Sequence, residues 1–415
     1  MSTFVPFKAI RPLPKFVKSV ASRPYDVLNA KEALEEAEDN PLSFYHVIKP
    51  EIDFPIDADP YAPEIYQKGK ENFDRLVERG IMVEDAEPSF YVYRLNMGDH
   101  EQTGLVGCCS IDEYFNNIIK KHELTREDKE TDRINHIRTS KLNYEAVFFF
   151  YPAVSNLDKL VEEATQGGPE FDFVSEDNIR HRVWTINQPD IVSDISSCFK
   201  SNVPSLYIAD GHHRTAAGAL TGRELREERH GQEGDGGRDN YFMAVAFPDS
   251  QLKILDYNRL VKDLHGLSEQ ELLEKIANDF TIEKRYDAYH PERLHTYGMY
   301  LHGTWYKLTA KAGSFKTDDP IEELDVTILS KKILEPYLGI HDLRKDKRIE
   351  FVGGMRGLSE LEKRVDSGEM KVAFAMFPVS IQQVINISDH DLIMPPKVTW
   401  FEPKLRSGLF VHKLC

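Results

Sequence analysis

The sequence predicts a mixed α/β or α+β fold, with a mixed sheet flanked by helices, and three patterns support this prediction. Residues 145–151 are almost continuously apolar and are followed by Pro152, a pattern typical of a strand buried on both faces. A second apolar run over 204–209 leads, through a short turn, into a helix expected over about 212–228. Strands and helices are also mixed along the rest of the chain, and this order indicates one of these two fold classes.

The remaining elements are expected from capping, stop and periodicity signals. Asn29 and Glu32 give a capping box to the first predicted helix, over 29–38. The others, in chain order, are a helix over 62–80, strands over 90–95 and 104–110, helices over 111–123 and 126–138, a strand over 182–188, a glycine-rich loop over 231–237, a strand over 241–247, helices and short strands over 266–313, a helix over 324–338, a strand over 371–377 and a helix near 380–386.

The length of the chain predicts more than one compact region. A chain of 415 residues exceeds one ordinary hydrophobic core, so we expect an N-terminal region over 1–262 and a C-terminal α+β region over 263–415. The C-terminal tail is a candidate to pack back on the N-terminal region.

Charge and composition exclude several function classes. The 52 basic and 69 acidic residues give a net charge of 52 − 69 = −17, which argues against broad nucleic-acid binding. The four cysteines form no Cys-x-x-Cys pair, so we expect reduced, buried thiols in a cytoplasmic protein. No signal peptide and no membrane-spanning run is expected either.

The strongest chemical signal is the pentapeptide Asp-Gly-His-His-Arg that begins at Asp210. Gly211 allows a sharp turn and a close approach of a ligand to the backbone, and the helix that follows offers unpaired N–H groups to an anion. His212, His213 and Arg214 add donors, and Arg214 can bind a phosphate bidentately. Basic residues in a first helical turn oppose the helix dipole, which predicts an anion there; the alternative is that Asp210 is merely an N-cap. Two adjacent histidines on a helix point apart, which disfavours a shared metal ion.

A second polar block lies over residues 122–136. Thr125 and Asp128 predict a capping box for the helix over 126–138, and His122 and Glu123 come directly before it. The candidate nucleotide-binding residues of this block are His122, Glu123, Thr125, Arg126 and Arg133.

Three basic residues of this block are spaced to share one helix face. Lys129, Arg133 and His136 follow at i, i+4 and i+7, which predicts a basic stripe able to contact nucleotide phosphates. The alternative is a solvated helix whose basic residues are balanced by acids such as Glu130 and Asp132.

The C-terminal segment from 394 to 408 is rich in proline and basic residues. Such a segment is not expected as a central strand, but as a rigid, extended arm. Lys397, Lys404 and Arg406 can then close over an anionic ligand. The alternative is a docked tail with solvated lysines.

These motifs together resemble the signature of a widespread, uncharacterised bacterial domain family. The matching blocks lie at 24–27, 40–41, 120–126, 132–133, 394–399 and 403–405, although Val398 stands where the family usually has serine. The pentapeptide itself is similar to the phosphate-binding turn of the ParB/sulfiredoxin-like fold. Within that fold, the free serine kinases pass a nucleotide phosphate to the hydroxyl group of L-serine.

The resemblance implies that this chain is a nucleotide-dependent phosphotransferase that acts on a small hydroxyl-bearing metabolite such as L-serine. It implies a ParB-like catalytic region over 1–262, with ATP or ADP and Mg²⁺ as cofactors. Asp210 would help to hold Mg²⁺ or the acceptor, and Gly211 with the N–H groups after it would cradle the phosphate. His212, His213 and Arg214 would neutralise the charge that develops during transfer.

Phosphoryl transfer also needs a carboxylate that orients or deprotonates the acceptor hydroxyl. In the free serine kinases an N-terminal glutamate does this, and Glu32 is the first candidate here. Asp26 is the second candidate and Glu51 the third.

Two other function classes stay open at this point. One is a nucleotide- or metabolite-binding regulator without turnover; the other is a phosphohydrolase or nuclease that uses His212 and Asp210. DNA binding of the ParB kind is disfavoured by the charge of −17 and by the lack of a convincing basic recognition helix. The sequence leaves open the acceptor, the choice between ATP and ADP, the identity of the base and the oligomeric state.

Overall fold

The computed structural model describes residues 1–229 and 237–415. The chain is a mixed α/β protein with two compact units, one formed by Met1–Leu252 with Pro403–Cys415 and the other by Lys253–Glu402. The division into domains at residue 262 stays a prediction. Within the described ranges, none of the helices combines the length and the apolar character that crossing a membrane requires.

The helices of the described chain are mostly short. They are Val17–Val20 (α1), Ala30–Ala37 (α2), Tyr45–Ile48 (α3), Pro63–Glu78 (α4), Ile111–Phe115 (α5), Glu127–Ser140 (α6), Ser155–Ala164 (α7), Pro189–Asn202 (α8), His212–Glu228 (α9), Glu269–Ile276 (α10), Asp325–Leu329 (α11), Gly357–Asp366 (α12) and Ile381–Asp389 (α13). Single 3₁₀ turns lie at Pro14–Phe16, Pro50–Asp53, Arg238–Asn240, Asp249–Gln251 and Gly354–Arg356, and a π-helical turn lies at Ser330–Leu334.

The strands form sheets in both units. They are Phe4–Val5 (β1), Ala9–Pro12 (β2), Met82–Glu84 (β3), Phe90–Met97 (β4), His100–Ser110 (β5), Ile119–Lys120 (β6), Leu142–Asn143 (β7), Val147–Tyr151 (β8), Phe171–Val174 (β9), Ile179–Ile186 (β10), Leu206–Asp210 (β11), Tyr241–Pro248 (β12), Lys253–Ile254 (β13), Tyr257–Val261 (β14), Phe280–Arg285 (β15), Thr296–Leu301 (β16), Thr304–Ala310 (β17), Ile349–Gly353 (β18), Val372–Ala375 (β19), Phe401–Glu402 (β20) and Val411–Lys413 (β21).

The main sheet of the first unit has the order β6-β11-β8-β12-β5-β4-β10-β9, and β1 also pairs with β5. β8 pairs in parallel with β12 and antiparallel with β11, so both of its edges are hydrogen-bonded. All five residues of β8 are buried, which confirms the strand predicted from the apolar run over 145–151. The strand–helix unit predicted over 204–228 is also confirmed, as β11 and α9.

Two large apolar clusters, besides a small one around Ile137, stabilise the described part of the first unit. In one, Leu157 of α7 and Phe199 of α8 pack with Phe149 of the main sheet. In the other, Phe44 and Phe73 pack near the small antiparallel sheet β3-β2-β21-β7. The C-terminal strand β21 is therefore an inner strand of a sheet whose other members come from the first 143 residues.

Helix α9 packs unusually close to its neighbours because its buried face consists of small residues. A Cβ atom on Gly222 would lie 2.5 Å from the carbonyl oxygen of Asp239 and 3.1 Å from Cγ2 of Ile111. A Cβ on Gly218 would lie 3.1 Å from Cβ of Phe242. This tight packing holds in place the helix whose first three residues belong to the Asp-Gly-His-His-Arg motif.

Gly222→Ala is expected to destabilise the protein by about 2 kcal/mol. Alanine stabilises a helix by about 1 kcal/mol relative to glycine, but overpacking against a backbone carbonyl costs about 1–3 kcal/mol or more. Urea unfolding followed by circular dichroism measures the change. Gly167→Ala, where a Cβ would meet no atom within 4 Å, is the matched control. Equal stability of the two variants would contradict the packing described for α9.

Three of the sequence-based expectations for local structure are wrong. The helix expected over 111–123 ends at Phe115, because Asn117 takes a left-handed conformation with φ of +56° and residues 119–120 pair in parallel with β11. The helix expected over 324–338 is α11 followed by the π-helical turn. The capping box expected at Thr125 is absent from α6, where Arg126 is the N-cap and no side chain caps the helix. In the glycine-rich loop expected over 231–237, residues 231–236 lie outside the described residues.

The second unit is built on a six-stranded antiparallel sheet, in the order β15-β17-β16-β19-β14-β18. Its apolar cluster joins Leu260 and Ala373 of the sheet with Leu361 and Val365 of α12. A short two-stranded ladder, β13 with β20, lies in the same unit.

Candidate functional site

The Asp-Gly-His-His-Arg pentapeptide consists of the last residue of β11, Gly211 as the turn, and the first three residues of α9, all in the first unit. Gly211 has φ of +93°, a left-handed conformation that residues with side chains rarely adopt. A Cβ atom on Gly211 would also lie 3.0 Å from Nε of Arg214. Glycine is therefore required twice at this position, for the backbone turn and for the space next to the guanidinium group.

Asp210 accepts hydrogen bonds from two cations. Nη2 of Arg214 donates to its Oδ2 at 2.7 Å, and Nζ of Lys404 donates to its Oδ1 at 2.8 Å. Burial alone would raise the pKa of Asp210, but the positive charges of Lys404 and Arg214 outweigh burial and lower the pKa. An ionised Asp210 thus holds the motif and the C-terminal segment together.

Arg214 lies behind the turn, with only 7% of the residue exposed. Its Nη1 donates to the carbonyl of Ala146 at 2.8 Å, and its buried Nε has no hydrogen-bond partner among the described residues. Burial disfavours the guanidinium charge, but the carboxylates of Asp26, Asp210 and Glu145 act against burial and raise its pKa. Arg214 is therefore charged, and it organises the turn from the protein side.

The start of α9 presents unpaired donors. The first helical hydrogen bond runs from the amide of Thr215 to the carbonyl of Gly211 at 2.8 Å, so the amides of 212–214 lie outside the helical ladder. His212 is buried, and its Nε2 has no partner among the described residues. Burial and the neighbouring His122 ring, 4.5 Å away between centroids, hold the pKa of His212 well below its usual value. A helix N-terminus with an unsatisfied, neutral imidazole beside it is suited to bind an anion.

His213 links this turn to the block that begins at His122. The backbone N–H of Arg126 donates to Nε2 of His213 at 2.9 Å, and burial lowers the pKa of His213. The Arg126 guanidinium is exposed and forms an ion pair with Asp128 at 2.7 Å. Burial lowers the pKa of His122 to about 4, and Glu123 follows it in the same loop, partly exposed. The loop before α6 therefore lies directly against the motif.

The predicted basic stripe on α6 is not exposed at the protein surface, because Arg133 and His136 are both buried. Nη2 of Arg133 donates to Asp132 at 2.8 Å, its Nη1 lies 3.7 Å from Glu145, and its Cζ lies 3.9 Å from the ring centroid of Tyr25. Burial and the charge of Arg133 hold the pKa of His136 well below its usual value. Arg133 thus holds together an internal charge network.

The two other polar residues of this block have contacts of their own. The hydroxyl group of Thr125 donates to Glu130 at 2.7 Å. The ammonium group of Lys129 donates to the Tyr61 hydroxyl at 3.4 Å and lies 5.9 Å from the centroid of that ring. The predicted roles of Thr125 and Arg133 in nucleotide binding stay predictions.

The three candidate bases differ in their surroundings. Glu32 is exposed and accepts from the backbone N–H of Asn29 at 2.9 Å, which is the capping box expected from sequence. Glu51 forms an ion pair at 3.0 Å with a neighbouring lysine. Asp26 is exposed, and its charge opposes the effect of burial on the pKa of Arg214. Of the three carboxylates, Asp26 is the one whose charge helps to raise the pKa of Arg214.

The last residues of the chain belong to the first unit and make several polar contacts within it besides the contact of Lys404 with Asp210. The guanidinium group of Arg406 forms an ion pair with Asp177, and the hydroxyl of Ser407 donates to Glu145 at 2.8 Å. Arg406 is therefore a structural anchor rather than a free cation for a ligand.

Lys397 belongs to the second unit. Its backbone is left-handed, with φ of +59°, and its carbonyl accepts from Nη2 of Arg259 at 2.8 Å. Its ammonium group lies 5.6 Å from the ring centroid of Tyr257. The predicted role of Lys397 in phosphate binding stays a prediction.

Sequence reasoning missed Glu145 as a member of this site. Its side chain is 5% exposed, and Oε1 accepts from the backbone N–H of Tyr25 at 3.2 Å and from Ser407. A single carboxylate at the start of an otherwise apolar, doubly buried run is the signal that could have found it, because such a charge needs partners.

The described residues offer no ready metal site. Among them, no group of three or more His, Cys, Asp or Glu side chains is arranged to hold a metal ion. Both carboxylate oxygens of Asp210 accept from cations, and the predicted role of Asp210 in holding Mg²⁺ stays a prediction.

Comparisons with known proteins give a family match. A family model described as "Protein of unknown function (DUF1015)" matches residues 4–327. No curated protein matches the chain in sequence.

Solved structures that align with the chain include free serine kinase in complex with AMP, a conserved hypothetical protein from Pyrococcus furiosus and a C-terminally truncated SbnI from Staphylococcus aureus. Their identities are 12%, 14% and 12%, over 71%, 72% and 72% of this chain and 86%, 92% and 82% of theirs. The TM-scores are 0.35, 0.34 and 0.34, which are too low to support an argument about function.

Proposed function

This chain belongs to the DUF1015 family of proteins of unknown function, and we propose that it is a nucleotide-dependent phosphotransferase that acts on a small hydroxyl-bearing metabolite. The proposal rests on one observation. Among the described residues, the β11–α9 turn combines three backbone amides outside the helical hydrogen-bond ladder, a left-handed glycine, and a buried, neutral His212 whose Nε2 has no partner. Each of these features favours a bound anion, and together they suit a phosphate group.

The charges around the turn are suited to phosphoryl transfer. Arg214 and Lys404 are both paired with Asp210, so two positive charges are held in place beside the turn. The Lys404 side chain is 19% exposed and the Arg214 side chain 7%, so Lys404 is the cation that a ligand can reach. Arg214 lies on the protein side of the turn, and it acts on a ligand through its positive charge and by holding Asp210 in place. Fixed charges of this kind stabilise charge that develops in transfer without reorganisation.

The histidines of the motif supply hydrogen bonds rather than charge. Burial keeps the pKa of His212 well below its usual value and lowers that of His213, so both favour the neutral form. We therefore assign charge neutralisation to Lys404 and Arg214, and orientation of the phosphate oxygens to the imidazoles and the backbone amides.

Asp26 is the carboxylate that we propose as the base for the acceptor hydroxyl, in place of Glu32. It is exposed, and its charge acts on Arg214, whereas the Glu32 carboxylate caps α2. A carboxylate in this position can accept the hydroxyl proton as the oxygen attacks phosphorus and the shortened nucleotide leaves.

The sequence resemblance adds finer parts to the proposal. They are ATP or ADP as phosphate donor, L-serine as acceptor, a ParB/sulfiredoxin-like element around the turn and a cytoplasmic location. We assign Asp210 to holding the two cations rather than to Mg²⁺, which in nucleotide sites is commonly bound through the substrate phosphates.

The direct test is phosphotransfer by the purified chain. The protein is incubated with ATP or ADP, Mg²⁺ and L-serine or other hydroxyl-bearing metabolites, and products are followed by ³¹P NMR. We expect a phosphorylated acceptor. The proposal is abandoned if no acceptor is phosphorylated and Arg214→Ala binds nucleotide as tightly as the wild type. Nucleotide binding without transfer would indicate a regulator, and phosphate release without acceptor would indicate a hydrolase.

Lys404→Met is expected to weaken nucleotide binding by about tenfold to a hundredfold, because a charged hydrogen bond contributes about 1.5–3 kcal/mol. The variant should fold, since Asp210 keeps its ion pair with Arg214. Isothermal titration calorimetry with AMP and ADP measures the change. Lys413 is an exposed lysine of β21, and Lys413→Met is the control that should bind as the wild type does. Equal loss in both variants would point to a general effect of charge instead of a contact.

A further inference from the structure

A groove of about 390 Å³ lies beside the N-terminal half of α6 in the first unit. It is lined by Tyr61, Tyr66, Glu127, Asp128, Thr131, Asp132 and Asn135. Small-molecule sites in proteins usually measure about 300–1,000 Å³ and combine aromatic surfaces with a few polar groups. We infer that this groove binds the nucleoside part of a nucleotide whose phosphate lies at the β11–α9 turn, an inference that rests on the function proposed above.

The groove adjoins the turn through a defined contact. The backbone N–H of Arg126 donates to Nε2 of His213 at 2.9 Å, and the next residue, Glu127, lines the groove. Consecutive Cα atoms are about 3.8 Å apart, so the groove wall begins one residue from the loop residue that contacts the His213 side chain. In this inference, a single ligand extends from the turn, past this contact, into the groove.

Aromatic side chains give the groove a surface for a flat ring. Tyr61 is 46% exposed, whereas Tyr66 is 4% exposed and its hydroxyl donates to Asp132 at 3.2 Å. A fixed Tyr66 and an accessible Tyr61 suit stacking of a nucleobase, which contributes to binding for any base because every base has a flat π-face.

The charge of the lining decides which part of the ligand it receives. Glu127, Asp128 and Asp132 make this wall acidic, so it repels phosphate and directs the phosphate toward the turn. Asp128 and Asp132 are paired with Arg126 and Arg133, and the exposed Glu127 carboxylate can accept from ribose hydroxyl groups. Carboxylates bind ribose in this manner in dinucleotide-binding folds.

A free amino acid is the other occupant that acidic and aromatic residues can attract, through its ammonium group. The volume argues against it, since the groove is in the size range of drug-sized ligands and an amino acid such as serine is much smaller. The adjacency to a phosphate-binding turn also favours a ligand that carries phosphate at one end.

The test separates the two ends of the ligand. Isothermal titration calorimetry measures binding of adenosine, AMP and inorganic phosphate to the full chain, to Tyr61→Ala and to Tyr61→Phe. We expect Tyr61→Ala to weaken AMP binding on the order of tenfold, to abolish detectable adenosine binding and to leave phosphate binding unchanged. Tyr61→Phe keeps the ring and should bind AMP nearly as the wild type does. Tyr286→Ala, an aromatic residue 97% exposed in the second unit, is the matched control and should change nothing.

The proposed contact between Glu127 and the ribose is tested separately, by comparing AMP with its 2′-deoxy analogue. Wild-type protein should prefer AMP over its 2′-deoxy analogue, and Glu127→Gln should reduce that preference, because an amide oxygen is a weaker acceptor than a carboxylate. An unchanged preference would remove Glu127 from the proposed contact.

The remaining outcomes distinguish a failure of the groove from a failure of the proposed function. If AMP and phosphate bind but Tyr61→Ala leaves AMP affinity unchanged, the groove inference is overturned and the phosphate site stands. If adenosine binds and depends on Tyr61 while phosphate does not bind at all, the groove stands and the proposed function fails. If Tyr61→Ala weakens binding of L-serine but not of AMP, the groove is an amine site and the inference is overturned.

Discussion

Acidification from about pH 7.5 to about pH 5.5 is expected to bring the first unit close to unfolding. The reason is a set of buried imidazoles in the described part of that unit. They are His122, His136, His181, His212 and His412. Burial is the leading cause of a lowered pKa in every one of them, to about 4 for His122 and His412, to about 3 for His181, and well below the usual value for His136 and His212.

The direction of this pH dependence follows from the linkage between proton binding and folding. An unfolded histidine titrates near pH 6.5, so between that pH and the lower folded value the unfolded chain binds more protons than the folded chain. The stability that comes from keeping these histidines neutral is present above about pH 6.5 and is lost as the pH falls below that value. At one pH unit below this value, each histidine lowers the free energy of unfolding by about 1 kcal/mol. The five histidines together lower it by roughly 5–7 kcal/mol, which is comparable with the whole stability of many domains.

Urea unfolding followed by circular dichroism at several pH values between about 7.5 and 5 measures this loss. His136→Phe gives a sharper test. The His136 ring packs edge-on against Tyr66 at 4.9 Å, so phenylalanine can replace the ring while removing the proton. The variant should lose stability less steeply with falling pH, by about one histidine's share. A wild-type protein that is equally stable at both ends of this pH range would contradict the neutral, buried state of these side chains.

The local part of the site could be predicted from sequence because its determinants are local. A glycine between an apolar strand and a helix start predicts a tight turn, and Gly211 forms it with a left-handed backbone. The strand at 145–151 was predictable for the same kind of reason, since continuous apolar character follows from burial on both faces.

The long-range contacts could not be predicted in this way. Lys404 meets Asp210 across 194 positions of the chain, and Ser407 meets Glu145 across 262. Nothing in the spacing of either pair indicates the contact, because it depends on β21 entering a sheet with β2 and β7. The sequence indicated a basic C-terminal arm, but not the carboxylate that receives it.

The anion expected at the turn stays a prediction, and the dipole argument behind it overestimated the positive charge there. It counted three positive charges in the first turn of α9, but burial lowers the pKa of His212 and His213, and Arg214 is paired with Asp210. What remains for an anion is hydrogen bonding by free amides and a neutral imidazole, with Lys404 as the accessible charge. Burial of titratable groups is a tertiary property, and for this reason composition alone overestimates the charge of the site.

The contact of Lys404 with Asp210 makes the C-terminal segment part of the site and of the fold at once. Deletion of residues 403–415 is expected to prevent stable folding of the first unit. The deletion removes five buried apolar side chains, namely Leu405, Leu409, Phe410, Val411 and Leu414. At about 1.5–3 kcal/mol each, their burial contributes roughly 10 kcal/mol, which is the size of a whole domain's stability.

The polar consequences of the deletion act in the same direction. Asp177 and Glu145 would lose Arg406 and Ser407, and β2 and β7 would lose the strand that joins them. Glu145 is buried, and a buried group that loses a partner costs about 1–3 kcal/mol. Removal of the exposed Cys415 alone is the matched control and should leave the melting temperature unchanged within about 1 °C. A deletion variant that unfolds cooperatively at the wild-type temperature would contradict the placement of β21 in the sheet, and with it the position of Lys404 at the motif.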